Sequence, residues 1–183
     1  METALILIDI QNEYFPGGRR ELVGSLEALA QARRLLEWFR QKGWPVIHIQ
    51  HVSVEPGAAA FLPGTEGVQI HAGLEAQTGE TIIQKHFPNS FRETPLHALL
   101  NGLGIRQLVF CGMMTHMCVD ATMRAGADLG FSTLLAADAC ATRTLMYDQT
   151  SIPAEFVHKA FLAALQAYGQ VLTVDQVIHQ LSK

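Results

Sequence analysis

Apolar positions in this chain change period several times, and the changes mark its elements. Residues Ala4 to Ile8 are continuously apolar and end at Asp9, the pattern of a strand buried on both faces of a parallel sheet. A Pro-Gly-Gly turn follows at Pro16 to Gly18. From Ser25, an expected N-cap, Ala28, Leu29, Ala32, Leu35, Leu36 and Phe39 recur at helical spacing until Gly43 stops the helix. Pro45 to Ile49 reads as the second strand, and residues 51 to 79 hold most of a long glycine- and proline-containing excursion. Connections of that length usually cover a site or meet a partner.

The third strand is Thr81 to Gln84 running into Lys85, and a short helix over about Pro95 to Leu103 leads through Gly104 to a fourth strand, Leu108 to Cys111, ended by Gly112. A helix from Thr115 or Cys118 to Ala127, a strand at Thr133 to Ala137, a helix from Pro153 to Ala167, a strand at Val171 to Thr173 and a closing helix complete the alternation. Strands joined by helical crossovers make a parallel sheet with right-handed connections. The expected fold class is α/β: a three-layer α/β/α sandwich, Rossmann-like, with a mostly parallel sheet of about six strands in the order 3-2-1-4-5-6. No linker or repeat divides the chain, so one domain over residues 1–183 is expected.

Composition sharpens this picture. Hydrophobic residues make up 49% of the chain and charged residues 16%, against roughly 25% charged in an average domain, which favours a sheet covered on both faces and a subunit interface. A net charge of -4 without clustered Lys or Arg points away from nucleic acid and anionic membrane surfaces, leaving a small-molecule substrate as the expected partner. No apolar run approaches the roughly 20 residues that span a bilayer, and no basic segment precedes a signal-like stretch, so the expected location is cytoplasmic. Three cysteines without a C-x-x-C pair argue against a disulfide framework or a structural zinc site.

Ligands of open parallel sheets bind beyond the carboxyl ends of the strands. Asp9 ends strand one, Lys85 ends strand three, and Cys118 begins the helix after strand four, so all three are expected on one edge. A cysteine attacks as thiolate, and a helix N-terminus or a neighbouring cation is expected to lower the Cys118 pKa. Asp9 can take and return a proton while Lys85 keeps that carboxylate ionised. If strand three lies two strands from strand one, the gap is about 10 Å, which a long lysine can largely close. Taken singly, each residue has a plainer reading: an aspartate ending a strand is often a turn residue, a lysine after a strand is often solvated, and cysteine is commonly buried. Cys111 and Cys140 are read as core packing.

With these residues in place, the chain resembles the isochorismatase-like cysteine hydrolases, the superfamily that includes nicotinamidases and N-carbamoylsarcosine amidohydrolases. The marks are LILIDIQNEYFPGG (Leu5 to Gly18), QKHFPNSF (Gln84 to Phe91), and CGMMTHMCVDATMRAGADLGF (Cys111 to Phe131) followed by DACAT from Asp138. The resemblance covers nearly the whole length and implies Asp9 as general acid/base, Lys85 as its electrostatic partner and Cys118 as nucleophile. It also implies a non-proline cis peptide between Met113 and Met114, with the amides of Met114 and Cys118 forming an oxyanion hole. Substrate contacts are assigned to Phe15, Met113, Thr115 and His116, with His86 a further candidate and Thr115 also expected to help fix the loop; hydrogen-bonded structural histidines are the plain alternative for His86 and His116. Tyr14, Phe15, Phe61, Phe87, Phe91, Met113 and Met146 could supply an apolar pocket wall, with core packing the plainer reading for all but Phe15.

Metal-binding nicotinamidases carry an Asp-x-His motif after strand two. This chain has His48, Ile49, Gln50 and His51 there, so no metal and no cofactor is assigned, although His51 and His71 are a pair that could still meet at one. The resemblance implies hydrolysis of a carbon-nitrogen bond (amide, carbamoyl or lactam) through a Cys118 thioester. The alternatives are another bond, such as the vinyl ether cleaved by isochorismatases that lack the cysteine, or a non-catalytic small-molecule binding protein. Substrate choice is expected to lie in residues 51 to 79 and around Leu145 to Pro153. The low charge content also predicts a homo-oligomer, a dimer or tetramer. Light scattering should therefore give a solution mass above the 20.1 kDa of one chain; a monomer mass would refute it.

Overall fold

A computed structural model describes residues 2–183. Six strands form one parallel sheet in the order β3-β2-β1-β4-β5-β8. They are β1 (Thr3–Ile8), β2 (Val46–His51), β3 (Thr81–Lys85), β4 (Gln107–Met113), β5 (Ser132–Ala141) and β8 (Gln170–Leu172). A separate antiparallel hairpin pairs β6 (Leu145–Tyr147) with β7 (Thr150–Ile152). The helices are α1 (Ser25–Lys42), α2 (Leu96–Gly102), α3 (Asp120–Asp128), α4 (Ala154–Leu165) and α5 (Val174–Leu181). The expected α/β sandwich and the spatial strand order both hold. The sixth place is filled by the eighth strand because the hairpin intervenes, a feature too short and too exposed to leave a periodic trace.

The sheet runs outward from β1 in both directions. Every residue of β1 is buried, as its uninterrupted apolar run requires of a strand covered on both faces. From β1 the chain crosses to β2 through α1, and from β4 to β5 through α3, in opposite directions along the sheet. Crossovers of one hand that step in opposite directions must place their helices on opposite faces. Accordingly α1 packs with α5, and α3 with α4. The reversal between β1 and β4 is the point where an open sheet leaves a crevice at its carboxyl edge.

Register sets that edge. Ile8 pairs with Ile49 on one side and Gly112 on the other, while His51 pairs with Lys85. Lys85 therefore ends its strand two strands from β1, with its α-carbon about 10 Å across the sheet from the residues that follow Ile8.

Several boundaries differ from expectation. Ser25 is the first helical residue of α1 and the cap position belongs to Gly24, which is left-handed at φ 75°. Strand β4 does not stop at Gly112 but continues to Met113, and β5 continues to Ala141, because an irregularity between Phe110 and Gly112 lets the pairing resume at Gly112 with Cys140. Gly112 has φ 135°, and a Cβ there would lie 2.0 Å from the carbonyl oxygen of Ile8. Only glycine lets β4 pass this close beneath the end of β1. Cys111 and Cys140 are both buried, in keeping with core packing. Among the described residues no helix is long and apolar enough to cross a membrane.

Gly112→Ala should cost at least about 2 kcal/mol, from the φ penalty and the clash together. A thermal melt checks it, and an unchanged midpoint would show that β4 can yield.

Candidate active site

Asp9 turns sharply out of β1 at φ 51°, a left-handed conformation that aspartate tolerates better than β-branched residues do. Its amide still bonds the carbonyl of Ile49 at 3.1 Å, and its carbonyl accepts from Gln11 at 2.9 Å, so the turn is held on both sides. The carboxylate is thereby folded back over the sheet edge, fully buried. Lys85 reaches it from β3: Nζ lies 2.7 Å from Asp9 Oδ2, and both side chains have no exposed surface. A second ammonium proton goes to the carbonyl of Phe87 at 3.0 Å. Both carboxylate oxygens are buried, and apart from the Lys85 ion pair neither has a hydrogen-bond partner among the described residues.

Cys118 arrives from the other side of β1. After β4 the Met113–Met114 peptide bond is cis, and residues Thr115–Val119 form one wide turn that leads into α3. The amides of Met117 and Val119 both close on the Met114 carbonyl, at 3.0 and 3.3 Å. This turn carries the Cys118 thiol beside Asp9 and Lys85, close enough for both charges to act on it. The sulfur is largely buried yet lines a cavity of about 390 Å³, so it is neither sealed in the core nor free in solvent. Asp9, Lys85 and Cys118 are thus brought together.

The charges differ in one respect from expectation. Burial opposes the Lys85 ammonium, but Asp9 and Cys118 together more than offset it and raise its pKa. For Cys118, burial is the largest effect and Asp9 adds to it, so the thiol is pushed up rather than down; Lys85 offsets only part. The expected lowering of the Cys118 pKa is therefore corrected to a rise, which favours the neutral thiol beside the ion pair. The physical reason is that a second anion next to Asp9 in a dry site would leave one cation shared between two negative charges.

The remaining sequence assignments separate. Met114 lines the cavity with Cys118. Phe15 does not: it is buried against the ring of His71 at 4.2 Å and faces a different recess. Met113 is fully buried at the end of β4. Thr115 is also buried, bonding the Ala141 carbonyl at 3.2 Å and His158 Nδ1 at 2.9 Å, which ties the wide turn to β5 and α4. His116 bonds the Thr142 hydroxyl and packs on Phe161. In this structure these four hold the surroundings of the site and do not line its cavity.

Other residues do. Tyr14, His51, Phe61, Met117, Arg20 and Arg143 line it, with the Tyr14 and His51 rings edge-on to Phe61. His86 also lines it, with Nδ1 2.8 Å from the Val52 carbonyl oxygen. His51 is held neutral chiefly by burial, and its Nδ1 has no partner among the described residues. His71, the other histidine of the possible metal pair, accepts from the Gly73 amide at 3.0 Å and faces the recess of Phe15. His48 bonds Glu80 at 2.9 Å. Among the described residues no group of three or more His, Cys, Asp or Glu is placed to hold a metal ion.

The cavity owes its roof to residues 51 to 79, which are pinned to the segment after β1. Gln11 Nε2 donates to the carbonyls of His51 and Val68 at 2.8 and 2.7 Å. Buried Glu13 accepts from the amides of Arg19 and Phe61 at 2.9 and 3.0 Å. The sequence carries no signal of this anchor, because the burial of Glu13 arises only in the folded chain.

Fold and site together define a doubly wound α/β protein with a carboxylate, an ammonium and a thiol converging at its switch point. The chain belongs to the isochorismatase family: the isochorismatase domain model matches residues 3–176, and the protein is a hydrolase of that family. It is 47% identical over 176 residues to the isochorismatase family protein YddQ of Bacillus subtilis (strain 168), covering 96% of this chain and 98% of that one. An isochorismatase hydrolase from Oleispira antarctica has a crystal structure that superposes with a TM-score of 0.93 at 46% identity, covering 97% of this chain and 96% of that chain. A streptothricin hydrolase of Streptomyces noursei is 34% identical over 150 residues, 82% of this chain and 52% of that protein.

Alkylation of Cys118 by iodoacetamide should be slow at neutral pH and rise only in the alkaline range, because burial and Asp9 raise the thiol above its ordinary value. Asp9→Asn removes one raising charge and leaves Lys85, so the rate profile should move to lower pH. Peptide mapping of the labelled cysteine follows this, and a profile that moves to higher pH in the variant would contradict the charge assignment.

Proposed function

We propose that this protein hydrolyses a carbon-nitrogen bond, of an amide, carbamoyl compound or lactam, through a thioester on Cys118. The observation that carries this reading is the wholly buried Lys85–Asp9 pair, 2.7 Å apart, with the Cys118 thiol beside both. Such a pair is costly to bury and is well suited to proton transfer.

The neutral resting thiol suits this chemistry. When a substrate carbonyl enters, the thiol proton passes to the Asp9 carboxylate, so an aspartate–thiol pair becomes a carboxylic acid and a thiolate with no change in the net charge of the site. Lys85 then faces the thiolate as the sulfur attacks the carbonyl carbon. The amides of Met114 and Cys118 receive the developing oxyanion, a role generally worth about 3 kcal/mol per donor. Protonated Asp9 gives its proton to the leaving nitrogen, and the amine departs. A water molecule, deprotonated by the same carboxylate, hydrolyses the thioester and restores the thiol. His51, held neutral on the cavity wall, is available as a hydrogen-bond partner for the substrate. The relative from Streptomyces noursei, named for hydrolysis of streptothricin, supports the reaction type.

A screen of small primary amides, carbamoyl compounds and lactams for ammonia release or ring opening should identify turnover. Cys118→Ala should abolish it, and Asp9→Asn should lower kcat by roughly 10²–10⁴-fold. Acid quenching during turnover should trap an acyl adduct on Cys118. Full activity of the alanine variant would reject the mechanism, and turnover of a vinyl ether without any adduct would reassign the bond.

A further inference from the structure

The wide turn over Thr115–Val119 carries the nucleophile but does little to hold itself. Its Met117 and Val119 amides close on one carbonyl, that of Met114, and the bond from Val119 is of the i to i+5 kind. Such turns are rare and recur at functional sites. The orientation of this one has to come from neighbouring elements. Thr115, its first residue, supplies a tie: the side chain is fully buried, with Oγ1 3.2 Å from the Ala141 carbonyl oxygen at the end of β5 and 2.9 Å from Nδ1 of His158 on α4.

Proton counting decides how these groups are bonded. A hydroxyl has one proton to give and a carbonyl can only accept, whereas an imidazole nitrogen can do either. Both Thr115 contacts are hydrogen bonds at once only if the hydroxyl donates to Ala141 and accepts from a protonated Nδ1 of His158. His158 is half-buried, and burial lowers its pKa and favours the neutral ring. A neutral ring holds one proton, so Nε2 is then bare. Helix α4 packs against the turn, and Val157, next to His158, is buried. His116 makes a second tie through its Nδ1 to the Thr142 hydroxyl, so the first two residues of the turn are fastened at the end of β5.

We propose that His158 is a positioning residue for the hydrolysis proposed above, on which this role rests: as its Nδ1–H tautomer it donates to Thr115, Thr115 donates to Ala141, and this relay fixes the Met114 amide and the Cys118 thiol against the end of β5. His158 does not line the cavity, so it acts on alignment and not on substrate binding. Without the ring, the Thr115 hydroxyl keeps one bond in place of two, and α4 no longer holds the start of the turn. Misplacing reacting groups by about 1 Å costs on the order of 10²-fold in rate.

The tautomer is tested on the unaltered protein. A long-range proton–nitrogen correlation spectrum of histidine-labelled protein, taken well above the ordinary histidine pKa and assigned through the backbone, should show Nδ1 of His158 protonated and Nε2 bare; the opposite tautomer overturns the relay. His158→Leu fills much of the same space without a donor. For a substrate found by the screen above, its kcat should fall roughly ten- to a hundredfold with KM little changed. Its Met117 and Val119 amides should exchange with deuterium roughly tenfold faster while the amides of β1 keep their rates. His158→Asn sets an amide nitrogen near the place of Nδ1 and should restore most of both properties. The role is overturned if His158→Leu leaves kcat or the two exchange rates unchanged, if β1 accelerates equally, or if His158→Asn is as impaired as the leucine variant. Should the His158 variants fold poorly, Thr115→Ser and Thr115→Val carry the same exchange comparison: only the valine variant should accelerate, and equal rates overturn the relay. Faster exchange in His158→Leu, with no amide, carbamoyl compound or lactam turned over by the unaltered protein, would reject the hydrolysis and leave the relay standing.

Discussion

A lysine and an aspartate with no exposed surface at all, 2.7 Å apart, set the terms for the rest of this molecule. Moving either charge alone out of water costs several kcal/mol even after relaxation, and deleting one partner of such a pair typically costs about 3–5 kcal/mol because the other is stranded. The fold must therefore deliver both to one place. It does so by ending β1 in a left-handed residue and by placing β3 just far enough away for a lysine, and no shorter cation, to span the gap. The close passage of Gly112 under Ile8 serves the same end, since it brings the turn that bears Cys118 against the tip of β1.

The pair in turn decides what the cysteine is. A thiol beside a lone buried ammonium would ionise readily, and one beside a lone carboxylate would not ionise at all. Beside both, and largely buried at the end of the cavity, its pKa is raised, chiefly by burial and then by Asp9, with Lys85 offsetting only part. A raised pKa keeps a thiol that lines an open cavity slow to react at neutral pH.

Around this centre the surroundings are held by polar groups whose role is placement. Gln11 and Glu13 fasten the long excursion as a roof, and Thr115 fastens the wide turn to β5 and α4. The hydrogen bonds involved are buried and satisfied, so losing any one would expose an unpaired donor or acceptor as well as loosening a wall. The excursion thus behaves as part of the rigid site even though it contains little regular structure.

Order along the chain was enough to reveal the α/β alternation, the strand order and the placement of Asp9, Lys85 and Cys118 on one edge, because parallel strands leave continuous apolar runs and their carboxyl ends share one side of the sheet. The same reading assigned Phe15, Met113, Thr115 and His116 to the substrate; of the residues it offered as an apolar pocket wall Tyr14 and Phe61 do line the cavity, along with His51 and Arg143, which it did not place there. Adjacent residues at a strand tip or turn point in different directions, so which neighbour faces the ligand depends on backbone angles that no local pattern encodes. Arg143 went unnoticed because the register shift after Phe110 lengthens β5 to Ala141 and carries the sheet edge four residues beyond where its apolar run ends. The charge state of the thiol likewise belongs to the folded molecule alone: residue types supply the ionisable groups, but burial and distance, which exist only after the chain has packed, decide which of them holds the proton.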